Sequence, residues 1–344
     1  MADGLRGVGG ALAAGAVVLA GRELLGRLRE QSLQGEVALI TGSSKGLGYV
    51  LARELAGEGC RLVICARDEV ALERSRRRLE ELGAEVLAVP CDVSDRSQVE
   101  DMIARATERF GGVDILVNNA GIIQVGPVEA QTLEDFEEAH DIIFWGTVYP
   151  TLALLPQMLE RGRGRIVNIT SVGAKVSMPH LLPYNCAKFA QIGFSEGLAA
   201  ELAGQGIKVT TIAPGLMRTG SYLNAYISGK QVLEYAWFAI PDSLPLLSMA
   251  APRAGRQIVR AIKRGETEKI LSVQANMLAR FHGLFPGLTV DILGVVDRLL
   301  PKAGGEGKAT TRAEDVQRRS GSRLLKVATA LGRSANRRYQ QHEG

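Results

Sequence analysis

The hydrophobic pattern of the chain settles into a regular rhythm at about residue 35. Short apolar runs rich in valine and isoleucine ("EVALITG", "CRLVICAR", "AEVLAVPCD", "VDILVNNAG", "GRIVNITS", "IKVTTIAPG") alternate with longer segments of helical period, such as "GYVLARELAGEG" and "RSQVEDMIARATERFG". That alternation predicts βαβ units. Strands that are apolar at every position, not at every second one, are expected where helices cover both faces of a parallel sheet. The pattern therefore predicts an α/β fold with a Rossmann-type, doubly wound parallel sheet. Ligands of such sheets bind beyond the carboxyl ends of the strands, so the residues that follow each run are the ones to read for chemistry.

The flanks read differently. Residues 8 to 21, "VGGALAAGAVVLAG", form an apolar run of 14 residues, short of the ~18 to 20 that span a bilayer. A helix over residues 1–34 that packs loosely or touches a membrane through residues 5–21 is the first reading. A true anchor comes second, and a cleaved signal last, because no small-residue cleavage site follows. The main domain is expected over residues 35–300, with a substrate lid at about 220–285, and residues 301–344 read as a basic, flexible tail. The net charge of +4 belongs to that tail, which carries ten Lys/Arg against four Asp/Glu in residues 302–344. What remains is slightly acidic and argues against a nucleic-acid surface. The four cysteines (Cys60, Cys65, Cys91, Cys186) lack metal-ligand spacing and read as reduced thiols in a cytoplasmic protein.

Directly after the first strand comes "TGSSKGLG", residues 41 to 48, which runs into a helix. Gly42 permits the tight turn, Gly46 the approach of a pyrophosphate and Gly48 the close packing of helix on strand. Ser44, Lys45 and Leu47 complete a loop at a helix N-terminus with free N–H groups. The second strand ends "ICARDE", so Ala66 and Arg67 stand where an NAD site usually has a carboxylate for the ribose 2′-hydroxyl. Arg67, with Lys45, suits a 2′-phosphate, which favours NADP(H) over NAD(H). Asp68 is expected to face water.

Five ordered features, "TGSSKGLG", "NNAG" at 118 to 121, Ser171 thirteen places before Tyr184, "YNCAK", and "PGLMRT" at 214 to 219, together resemble the short-chain dehydrogenase/reductase family over roughly residues 35 to 220. The resemblance implies NAD(P)-dependent carbonyl reduction or alcohol oxidation on a Rossmann fold. It also implies that Asp92 and Val93 lie by the adenine, that Asn119 lines the cofactor channel, and that Pro214, Gly215 and Thr219 flank the nicotinamide. A homodimer or homotetramer is the assembly it suggests.

Tyr184 and Lys188 are four residues apart and share a helix face. An ammonium close to a phenol, with an oxidised nicotinamide, favours the phenolate and makes tyrosine usable as an acid–base catalyst. Ser171 would hold the substrate oxygen, Tyr184 exchange a proton with it, and Lys188 also bind the nicotinamide ribose, as the family pattern implies. One departure stands out: Ile143 occupies the place of the family's usual asparagine, which is thought to hold a water leading from the lysine to solvent. That departure sustains an alternative, a cofactor-binding scaffold or sensor without turnover. Tyr222, Tyr226, Tyr235, Trp237 and Phe238 in the lid segment suggest a small lipophilic substrate, although each suits ordinary core packing equally. Leu288, Ile292, Val295, Val296 and Leu299 predict a packed helix first, and a membrane-surface or dimer contact second.

Overall fold

A computed structural model of the protein describes residue 21 and residues 26–339. In chain order the strands are β1 (Val37–Thr41), β2 (Arg61–Ala66), β3 (Val86–Pro90), β4 (Ile115–Asn118), β5 (Gln124–Val125), β6 (Gly164–Ile169), β7 (Ile207–Ala213), β8 (Met217–Arg218), β9 (Tyr226–Ile227), β10 (Met249–Ala250), β11 (Glu268–Ile270) and β12 (Thr311–Arg312). Seven of them build one parallel sheet in the order β11-β7-β6-β4-β1-β2-β3. Along β1, Ala38 and Ile40 enter one buried cluster while Val37 and Leu39 enter another on the opposite face. Side chains alternate across a strand, so a strand that is apolar at every position feeds two cores at once. The doubly wound fold expected from the run pattern is the fold observed.

The strand order reverses between β1 and β4, which opens a crevice at their carboxyl ends. The glycine loop leaves β1 there and the "NNAG" segment leaves β4. Later elements differ from expectation. Within 220–285, the helix Ala251–Arg264 packs on the helix Gly46–Gly57, and β11 is an edge strand of the main sheet, so the covering part ends near residue 243. The helices Val273–Leu284 and Pro286–Asp297 are not packed helices: each has one buried residue, and Met277, Phe285, Leu288, Val295 and Leu299 are exposed. Among the described residues one helical stretch, Leu133–Arg161, is long and apolar enough to cross a membrane, and half of its apolar window is buried in the fold. The segment of residues 5–21 expected to contact a membrane lies, except for Gly21, outside the described residues.

The expectation of a flexible tail from residue 301 fails between 311 and 339. β12 pairs antiparallel with β9, Ala313 and Val316 enter a cluster with Tyr222, Tyr235 and Phe238, and Tyr339 packs on Val50 and Ala251. The basic count concealed these anchors. Arg318 pairs with Glu314 and Asp315 on the outer side of a helix whose inner side carries the apolar residues. Deleting residues 311–344 should therefore lower Tm by about 5 °C or more in a thermal melt, because it uncovers buried aromatic surface; an unchanged Tm would show the segment to be free.

Candidate active site

The glycine loop is held from both sides. Ser43 donates its hydroxyl to the Ile40 carbonyl at 2.8 Å, accepts from the Cys65 N–H at 3.0 Å, and so ties the turn to β2. On the other side Thr41 Oγ1 accepts the N–H groups of Asn119 and Ala120 at 2.9 and 3.0 Å. The Asn119 amide donates back to the carbonyls of Thr41 and Gly42 at 2.9 and 3.1 Å. Gly42 and Gly46 adopt positive φ of 62° and 56°, a region that L side chains resist. Gly48 is required for a different reason: a Cβ there would lie 2.3 Å from the Gly42 carbonyl oxygen and 2.5 Å from Asn119 Nδ2.

A cleft of about 750 Å³ runs from this loop across the carboxyl edge of the sheet. Every residue assigned to the site from the sequence lines it: the loop from Gly42 through Ser44, Lys45, Gly46 and Leu47 to Gly48; Arg67, Asp92, Val93 and Asn119; Ser171, Tyr184 and Lys188; and Pro214, Gly215 and Thr219. At one end Lys45 pairs with Asp68 at 3.0 Å and Arg67 with Asp92 at 3.6 Å, both in partly exposed positions. Asp68 does not simply face water. It caps the helix Glu69–Glu80 by accepting the Ala71 N–H, and that bond, with Lys45 beside it, holds its carboxyl below the usual range against the opposing effect of burial.

At the other end the helix Leu182–Glu201 presents Tyr184 and Lys188 together, and the Ser171 hydroxyl hydrogen-bonds the phenol. Burial raises the Tyr184 pKa, and Ser171 only partly offsets this. Lys188 Nζ is 5.9 Å from the phenol ring centre and does not pull that pKa down in the cofactor-free site, contrary to the expectation from spacing. The ammonium itself is 4% exposed, and burial lowers its pKa from 10.5 to about 7.

Lys188 donates to the Ile169 carbonyl at 2.7 Å and to Gln191 Oε1 at 2.9 Å. Gln191 donates in turn to Thr147 Oγ1 at 2.7 Å, and Thr147 to the Ile143 carbonyl at 2.8 Å. The backbone at Ile143 lies in a π-helical turn, His140–Trp145, and its carbonyl closes this chain of bonds. Gln191 was not singled out from the sequence, although its i+3 spacing from Lys188 was there to be read. His180 was also missed, and no local signal could have found it. Buried, at a positive φ of 62°, it sits 2.9 Å from Glu234 Oε2 with Nδ1, and Trp237 Nε1 donates to the same carboxylate at 2.6 Å. This cluster joins the helix Gln231–Ser243 to the start of the helix Leu182–Glu201.

The fold and the cleft define a Rossmann-type oxidoreductase. The profile of the short chain dehydrogenases matches residues 36–226, and the chain belongs to that family, whose members act on alcohol and carbonyl groups. It is 36% identical over 250 residues to 11-beta-hydroxysteroid dehydrogenase A of Sesamum indicum, covering 71% of this chain and 70% of that protein. A short-chain dehydrogenase structure from Streptomyces avermitilis superposes with a TM-score of 0.65 at 30% identity, covering 77% of this chain and 99% of the other. A variant of actinorhodin polyketide ketoreductase with NADPH gives a TM-score of 0.60 at 30% identity, covering 69% and 95%.

The buried ammonium makes stability depend on pH. A folded pKa of about 7 against an ordinary 10.5 means that the unfolded chain binds the extra proton between those values, so stability rises with pH across that window. The cofactor-free parent should gain stability relative to Lys188→Met as pH rises from 7 to 10 in urea titrations. Parallel pH curves for the two proteins would show an ammonium with its ordinary pKa.

Proposed function

We propose that the protein is an NADP(H)-dependent oxidoreductase that transfers hydride between the nicotinamide and a lipophilic ketone, aldehyde or secondary alcohol. The observation that carries this reading is the shared cleft: Ser171, Tyr184 and Lys188 converge at one end and the glycine loop with Lys45 and Arg67 lies at the other. The cleft fits a dinucleotide. A Cβ at Gly48 would collide with the loop, the helix Gly46–Gly57 points its N-terminus into the cleft with its Gly46 N–H bonded to the Tyr339 carbonyl, and Lys188 has a third N–H donor beyond its two described partners. Pro214, Gly215 and Thr219 would flank the nicotinamide, and Asp92 and Val93 the adenine. When bound, the cofactor supplies or accepts the hydride.

The chain's own residues do the rest. Ser171 donates a hydrogen bond to the carbonyl oxygen as negative charge grows on it. Tyr184, which shares the cleft with Ser171 and Lys188, is the general acid in reduction. Lys188 holds the ribose and steadies the phenolate left after proton transfer. Ile122, Met178, Leu181, Leu216 and Phe238 make much of the substrate side apolar, which supports a lipophilic substrate. Exposed Trp145, Leu152 and Phe189 on neighbouring helices support assembly as a homodimer or homotetramer, and the exposed apolar side chains of residues 273–297 support contact with a membrane surface.

One observation favours the competing reading, a cofactor-binding scaffold without turnover. The chain from Lys188 through Gln191 and Thr147 ends on a carbonyl, and a carboxamide does not ionise to pass a proton on. Tyr184→Phe separates the two readings. As an enzyme the variant should keep NADPH affinity within a few-fold and lose turnover on lipophilic carbonyls by about 10² or more. A variant as active as its parent would exclude the phenol from the mechanism.

Cofactor choice is tested separately. The 2′-phosphate competes with Asp68 and Asp92 for Lys45 and Arg67, and both internal pairs are partly exposed and therefore weak. NADPH should bind about tenfold more tightly than NADH in fluorescence titrations, and Arg67→Asp should reverse the order. Equal dissociation constants for the parent would contradict the assignment.

A further inference from the structure

The family profile ends at residue 226, yet the wall of the active-site cleft does not: Arg312, 86 residues later, lines it beside Tyr226. Its backbone is fixed on two sides. β12 pairs Arg312 with Tyr226, and the next residue, Ala313, donates its N–H to the Ala225 carbonyl at 2.8 Å and is fully buried. The guanidinium carbon lies over the Tyr226 ring, 5.5 Å from its centre, a cation–π contact made by an otherwise exposed side chain. Its only described polar neighbour is the Tyr226 hydroxyl at 3.5 Å, and among the described residues it has no carboxylate partner.

The other cations of the cleft are accounted for. Lys45 and Arg67 are paired with Asp68 and Asp92 at the far end, and Lys188 is buried on Ile169 and Gln191. A guanidinium held against an aromatic ring, with no carboxylate partner among the described residues, is suited to a planar anion, which its fork binds through two parallel hydrogen bonds. The same cleft is lined by the apolar side chains of Leu181, Leu216 and Phe238, and its one buried carboxyl among the described residues is Asp242.

We propose that Arg312 is a specificity-determining residue that binds a carboxylate on the substrate, so that the preferred substrate is an amphipathic oxo-acid, or the corresponding hydroxy-acid, and not a neutral lipophile. This inference rests on the oxidoreductase reading of the same site. The C-terminal segment then contributes directly to substrate choice, from outside the part of the chain that the family profile covers.

The test uses the full-length protein, saturating NADPH, and a homologous series of methyl ketones that end in a carboxylate, each paired with its methyl ester. One chain length should stand out, with the acid preferred to its ester by about tenfold or more in kcat/KM, chiefly through KM. Arg312→Gln should collapse that acid-to-ester ratio to near one, and Arg312→Lys should restore part of it. Titration calorimetry of the same acid and ester with NADP⁺ present provides a readout independent of turnover, with the same tenfold difference expected in the parent and its loss in Arg312→Gln.

The outcomes separate the two readings. Turnover of esters and acids alike, with a ratio near one in the parent, overturns the role of Arg312 and leaves the oxidoreductase intact. A fall in NADPH affinity in Arg312→Gln, with acid and ester reduced equally, assigns the guanidinium to the cofactor and also overturns it. No turnover of any probe, with tighter acid binding that depends on Arg312, supports the anion site and counts against the reaction.

Discussion

The structure depends on how the gap between β1 and β4 is closed. Where strand order reverses, two loops leave the sheet in divergent directions and their backbone groups lose the partners a ladder would supply. A buried amide left unpaired costs about 1–3 kcal/mol. Thr41 and Asn119 meet that cost reciprocally, one hydroxyl accepting two N–H groups and one carboxamide donating to two carbonyls. The crevice can therefore stay open without exposing an unsatisfied edge, and the glycine loop is held in shape before any ligand arrives. Asn119, which the family resemblance implied to line a cofactor channel, stands in the wall of the cleft with its amide spent on this tie.

The end of the cleft at Lys188 rests on a costlier arrangement. An ammonium in a water-poor position is unfavourable, and Lys188 is compensated only by two neutral acceptors. The helix Leu182–Glu201 supplies the tyrosine and the lysine from one face, but the acceptors come from β6 and from Gln191, and Gln191 is itself oriented by Thr147. Thr147 donates to the Ile143 carbonyl four residues before it, inside the π-helical turn. With an isoleucine at that position, the lysine is braced by protein groups, and the bracing ends on a carbonyl instead of on an ionisable group.

The last thirty residues described are part of the same machine. From β12 on the substrate side the chain crosses the covering helix Gln231–Ser243 and returns to the glycine loop, where the Tyr339 carbonyl accepts the Gly46 N–H at 2.9 Å. The cleft is thus touched by the C-terminal segment at two places, through Arg312 and through Tyr339. A segment that looks like surplus charge in composition acts as packing, because three buried apolar or aromatic positions, Ala313, Val316 and Tyr339, anchor it.

The local order of the chain determined more than half of this picture. Apolar runs with no alternation could only be strands covered on both faces, glycine at 42 and 48 was dictated by a turn and a close approach, and residues 184 and 188 share a face by helix geometry alone. Each of these follows from distances of a few residues along the backbone. What only the tertiary structure decided involves surfaces far apart in sequence: Gln191 with Thr147, His180 with Glu234, Arg312 with Tyr226, the docking of residues 311–339, and the outward turn of the apolar positions around Leu288. The periodicity of a helix shows that it has an apolar side, but which surface that side meets, or whether it meets one, is set by how the other elements pack.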